Sequence, residues 1–255
     1  MRMQKETISP VIKEEPVFDF QQIDSYLHRH VQSKSIWSLG MLVLISIAMV
    51  YVPYESLLHA WLQHTPIIIQ AWIKALVYTV PIAASFCYVF RDSMKQLFHG
   101  MTILQHMECL LLACLLLWLA YLWGHIVESL ISMDISPHVM DNTSKVERML
   151  SIPGLLVQLL GENLMFVVFF FFWYKCITCI KKENTAIVLL AMLVAGVTFG
   201  MMHLTAYHFN VLQCILLVGM PAALHLLWFV HTRNIHMAYW LHVYYDLIII
   251  YWSFM

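Results

Sequence analysis

Glu162, His203, His242 and Asp246 are ionisable residues set inside runs apolar enough to lie in a bilayer. Their contexts are Gly161-Glu162-Asn163, Phe199-Gly-Met-Met-His203 and His242-Val-Tyr-Tyr-Asp246. A charged side chain at mid-membrane costs a few kcal/mol or more, so an intramembrane ionisable residue marks a functional site by default. A carboxylate can take a proton from water, and imidazoles can hold that water or donate to an oxyanion. Together these are the parts needed to hydrolyse a peptide bond. Residues four apart share one helical face, so Phe199 with His203, and His242 with Asp246, each give an apolar helix one polar spot. On this chemistry Glu162 is the general base and His203 positions the water. His242, oriented by Asp246, donates to the oxyanion.

The same residue types admit plainer readings. His203 and His242 can serve as anchors at the membrane interface, and all four residues can be read as ligands of a metal such as zinc. His125, Glu128 and His225 read as interface or interhelical hydrogen-bonding residues, and the aromatic run 169–174 as packing or lipid-facing surface. The six cysteines lie in or beside apolar segments, where a free thiol behaves as a small hydrophobe. The Cys176-Ile-Thr-Cys179 spacing ends a predicted span and lacks the surroundings of a redox motif.

Those residues need a scaffold that holds them in lipid. Of the 255 residues 61% are hydrophobic and only 11% charged, with a mean hydropathy of +0.74. An ordinary soluble domain is about 25% charged. This is the composition of an all-α, polytopic transmembrane bundle. Runs of roughly 20 apolar residues predict about seven spans, near 36–55, 66–90, 106–128, 152–178, 185–207, 209–230 and 237–255. Residues 1–35 form a polar arm with no apolar core for a cleavable signal, and 36–255 a single transmembrane domain. Val17, Phe18, Phe20, Ile23 and Tyr26 give part of the arm the makings of a membrane-surface helix. A short interfacial helix is expected in the polar connection around 130–150.

Lysine and arginine favour cytoplasmic loops. With the amino terminus inside, eleven of the fourteen basic residues fall on the inner side, Lys145 and Arg148 outside, and Lys74 within a span. The expected orientation is therefore amino terminus cytoplasmic, and the absence of a targeting signal fits a bacterial plasma membrane. Basic residues are scattered at segment ends and form no patch, so no nucleic-acid partner is expected. The partners expected are membrane lipid and a peptide or protein substrate, or a membrane sensor.

Order and spacing of the three runs resemble the motifs of the CPBP or Abi family, which includes CAAX prenyl endopeptidases and bacteriocin-processing and immunity proteins. In that family the motifs read E-E-x-x-x-R, F-x-x-x-H and H-x-x-x-N/D. Here they are Glu162-Asn163-Leu-Met-Phe166-Val167, Phe199-x-x-x-His203 and His242-x-x-x-Asp246, within a CPBP-like core of about 150–250. The resemblance implies an intramembrane glutamic endopeptidase with Glu162 as the water-activating residue and no obligatory metal or other cofactor. Asn163 stands where the family has its second glutamate, and Val167 where it has arginine. Losing an acid and a base together keeps the charge balance. The expectations are a peptide hydrolase acting near the membrane surface, a non-catalytic immunity or regulatory protein, or a metal-dependent membrane hydrolase.

Overall fold

The computed structural model describes residues 20–131, 135–136, 144–181 and 184–252. Val17, Phe18, Lys182 and residues 132–134 and 137–143 of the 130–150 connection lie outside them. Helix α1 (Phe20–Leu27) runs on as a π turn (His28–Gln32), and α2 spans Ile36–Tyr51, α3 Tyr54–Leu62 and α4 Ile67–Phe90. A 3-10 turn (Arg91–Ser93) and short α5 (Met94–Leu97) lead to α6 (Ile103–Ile131), α7 (Lys145–Thr178) and α8 (Thr185–Met201). One-turn α9 (Val211–Gln213) passes through a π segment (Cys214–Gly219) into α10 (Met220–Thr232), and α11 is Ile235–Trp252. No strand occurs among the described residues.

Each of the seven apolar runs is helical, but by length and composition four helices suffice to cross a membrane: 67–97, α6, α7 and 211–232. A fifth is added if α2 and the helix preceding it, bent by 82°, count as one span. The count expected from the sequence was higher for identifiable reasons. At 1.5 Å per residue the 16 residues of α2 and 17 of α8 reach only about 25 Å. In α11, His236, His242, Asp246 and several tyrosines dilute an 18-residue helix.

Caps fix where these helices start. Ser35 accepts from the backbone N–H groups of Trp37 and Ser38. Asn184 caps α8 through Ile187 N. Ser144 and Glu147 form a reciprocal capping box at the start of α7, satisfying two otherwise orphaned donors. The polar connection thus runs straight into a 34-residue helix at Lys145, where a separate interfacial helix was expected.

Helix α7 is the axis of the molecule. Leu164 to Phe171 are all buried, as is Tyr174, so the aromatic run belongs mainly to the core and not to the lipid face. Phe170 and Phe171 meet Phe229, and Phe171 also meets Phe90. Alongside, α4 runs parallel to α7. A β-carbon on Gly154 would come within 2.8 Å of the Ala71 backbone, and one on Gly161 within 2.8 Å of Thr79 Oγ1 and 2.9 Å of the Tyr78 ring. Only glycine permits that approach. A second close crossing joins α8 to the π segment, where a Gly196 β-carbon would lie 2.5 Å from the Gly219 carbonyl oxygen. Gly196 and Gly200, four apart, form the small-residue face that lets helices approach closely in membranes.

The described part of the amino-terminal arm, from residue 20 on, packs against the bundle. Ile23, Leu27 and Val31 are buried in the same apolar cluster as Phe86 and Phe170. Tyr26 donates to the Arg233 carbonyl, His30 pairs with Ser93, and Lys175 donates to both the carbonyl and the side chain of Gln32. The expected surface-lying helix is therefore a docked one over residues 20–32, for its apolar face is covered by protein.

Candidate active site

Glu162 lies midway along α7, 16 residues from its end at Thr178, or about 24 Å. Its carboxylate is half-buried and accepts from Gln158 Nε2 at 2.8 Å, one turn earlier on the same face. Gly161, seated against Tyr78 and Thr79, fixes the rotation of α7 here, and Thr79 Oγ1 donates to the Val157 carbonyl at 2.8 Å. Glu162 faces a cleft of about 840 Å³ between α4, α7 and the end of α2.

His203 lines the same cleft. It stands just past the end of α8, with its Nδ1 3.1 Å from the Phe199 carbonyl oxygen. A carbonyl only accepts, so Nδ1 carries the proton and Nε2 is left as an acceptor. That is the tautomer needed to hold a water or receive a proton. Phe199 is buried, its ring 4.8 Å from that of His203 and 4.8 Å from Phe166.

His242 sits behind this pair, not on the cleft lining. Its buried ring is 6.4 Å from Phe199, and it lies within electrostatic reach of Glu162 and His203. Nε2 of His242 is 3.8 Å from Asp246 Oδ2. That is too long for a hydrogen bond, so the structure shows no direct bond by which Asp246 would orient His242. Asp246 in turn is within reach of His203. The structure thus brings all four residues into one neighbourhood, Glu162 and His203 on the cleft and His242 with Asp246 behind it.

In the expected topology, straight spans would leave His203, near the end of one helix, and His242, near the start of another running the same way, well apart. A raised turn between α10 and α11 removes the discrepancy. Asn163 Nδ2 donates to the Ile235 carbonyl at 3.5 Å and Tyr239 to the Leu156 carbonyl at 2.9 Å. The first turn of α11 is therefore level with the middle of α7, and His242, two turns on, reaches Phe199. Arg233 makes the tight corner by adopting a left-handed conformation, φ 53°.

Set against protein-family models, characterised proteins and solved structures, the chain matches none.

Asn163 and Val167 face away from the cleft. Asn163 is 2% exposed and holds α11, while Val167 is fully buried in the aromatic core. An acid and an arginine at these positions would point into apolar packing. Glu162 consequently stands as a lone carboxylate with a glutamine partner.

His225 is the residue that sequence reasoning set aside. It is 7% exposed on α10, its ring 5.6 Å from His242 and 5.0 Å from Tyr245, and its Nε2 has no hydrogen-bond partner. No spacing links it to His242, since the two meet only when α10 packs on α11. Gln158 was findable, as a polar residue four before Glu162. His125 and Glu128 are exposed and form an ion pair of 3.9 Å, apart from this cluster. Among the described residues no three His, Cys, Asp or Glu side chains gather closely enough to hold a metal ion, so the zinc reading lacks a donor set here.

Proposed function

We propose that the chain is an intramembrane endopeptidase of CPBP type that hydrolyses a peptide bond in the α4–α7 cleft. The observation that carries the reading is the presence of Glu162 and His203 on the wall of one cleft, with His242 one ring behind. Glu162 takes a proton from a water held by the free Nε2 of His203. The resulting hydroxide attacks the carbonyl carbon, and the proton passes to the leaving amine. His242, buried behind the cleft wall, can act on developing negative charge only at a distance, and a donor role at the oxyanion requires its ring to reach the cleft when substrate binds. General base catalysis typically contributes about 10²–10⁴-fold. In proteoliposomes Glu162→Gln and His203→Ala are expected to lower peptide turnover at least about a hundredfold with expression and melting retained. Unchanged turnover in either variant removes the reading.

The proposal extends to placement. In this reading seven helical legs cross the bacterial plasma membrane with the amino terminus cytoplasmic, supported by the eleven of fourteen basic residues that this orientation puts on the inner side.

A second reading, a non-catalytic immunity or regulatory protein that binds a peptide or membrane sensor, draws support from the burial of Asn163 and Val167. It expects full biological function in Glu162→Gln. Hydrolysis expects none.

A further inference from the structure

Helix α2 ends at the depth of the candidate site. It runs antiparallel to α7, and a β-carbon on Gly40 would meet the Phe172 ring at 3.8 Å. Tyr51 lies eleven residues after Gly40 and Glu162 ten before Phe172, so both stand about 16 Å from that contact, at one height. The chain leaves α2 at Val52 and Pro53, passes through α3 and Pro66, and enters α4 at Ile67. Ala71 meets Gly154 where α4 crosses α7, which sets Ile67 level with Leu150. From the end of α7 at Thr178, Glu162 is about 24 Å away and Leu150 about 42 Å. A bilayer is about 30 Å across its hydrocarbon and about 40–45 Å with its headgroups. With Thr178 in one headgroup layer, residues 52–66 climb from near the bilayer centre to the opposite headgroup layer. Irregular backbone at such depth is tolerated where it lines a cavity, and Val52 and Pro53 line the cleft.

Two sides of α3 differ. Leu62 is buried and Leu58 half-buried, four residues apart on the side turned to the bundle. Leu57 and Trp61, also four apart, are 72% and 81% exposed. Exposed apolar residues resume at Ile68, Ile69 and Trp72, in a helix long and apolar enough to span the membrane. The outer side of α3 thus carries on the lipid-facing surface of α4. Its chemistry fits the height, because leucine belongs among acyl chains and tryptophan collects where they meet the headgroups. Trp61 is one turn nearer to Ile67, and so to that boundary, than Leu57 is.

We propose that α3 is a lipid-anchored strap at the edge of the cleft, lying in the leaflet on the face at which α7 begins, with Leu57 among acyl chains and Trp61 at the headgroup boundary. Pro53 and Ile67, at the two ends of the strap, both line the cleft, which therefore borders lipid along α3. The anchor requires no catalytic role for Glu162 and stands apart from the endopeptidase reading.

The test uses the full chain in phosphatidylcholine vesicles, with a genetically encoded fluorescent amino acid in place of Leu57 or of Trp61. Vesicles carry a nitroxide quencher either on the headgroup or midway down the acyl chain. Emission from position 61 is expected to fall about twofold more with the headgroup quencher, and emission from position 57 about twofold more with the acyl-chain quencher. No quenching by either lipid, or the reverse order of depth, would overturn the proposal. A benzophenone side chain in place of Leu57 gives a second reading that does not depend on depth. Photo-crosslinks to lipid are expected. Crosslinks joining two copies of the chain, or none to lipid, would mean that protein or water covers this side and would equally overturn it.

Discussion

An arginine at position 167 would point into the phenylalanines that surround Val167, with no carboxylate beside it. An uncompensated buried charge costs about 3–5 kcal/mol. Val167→Arg is therefore expected to lower unfolding stability in detergent by that order and to add no activity. A wild-type melting curve with increased turnover would show that position 167 faces the cleft. His225→Phe makes the opposite prediction. It keeps a ring between His242 and Tyr245 and removes a buried nitrogen without a partner, a burden of about 1–3 kcal/mol. The variant should melt higher, and a simultaneous fall in turnover would mark the imidazole as retained for function at the expense of stability. At this scale the sequence was informative where an expensive residue stood in an apolar run, as with Glu162, His203, His242 and Asp246. It was silent on His225, whose role depends on which helix lies next to it, and on the direction in which Asn163 and Val167 point.

Helix crossings set the position of those residues, and two close ones, α4 with α7 and α8 with the π segment, depend on glycine. Gly196→Val should force α8 away from Gly219, shifting Phe199 and His203 relative to His242. Overpacking of this kind typically costs about 1–3 kcal/mol. Gly124→Ala on α6, where an added methyl meets nothing within 4 Å, is the matched control and should leave melting and turnover unchanged. Equal effects from the two substitutions would mean that the α8 crossing is not tight. The positions of the helices were readable from runs of apolar residues, but their starts at Ser35, Ser144 and Asn184 were not read from the sequence and are set by caps seen in the structure. The π segment after Gln213 was not legible, because a widened turn arises from the packing of Gly219 against α8. Nor did the arm's composition reveal that Ile23 and Leu27 would find protein instead of lipid.

Across the whole molecule, basic residues and paired contacts agree on which helix ends lie together. Gln32 with Lys175 marks one end, and the cap at Ser144 the other. Thiol mapping of sealed vesicles should find a cysteine in place of Lys181 accessible from the cytoplasmic side, and one in place of Lys145 from the opposite side. The reverse pattern would invert the orientation and with it the leaflet in which α3 lies. All-helical architecture was legible because few soluble chains are so poor in charge. The number of crossings was less so, since α2 and α8 are short and α11 is diluted by polar residues, leaving four helices, or five with the bent pair, long and apolar enough to span.

The bond from Tyr26 to the Arg233 carbonyl spans 207 positions of the chain. A chain is made from its amino terminus, and domains fold as their parts emerge. Residues 20–32 are therefore made well before the turn they close, which does not exist until Arg233 has left the ribosome. Until then the arm has Phe86 and Phe170 to pack against but not the α10–α11 corner. Assembly of that corner is closed by a segment made some 207 positions earlier. Chains truncated before Arg233 should leave the arm sensitive to protease, whereas full-length protein should protect it.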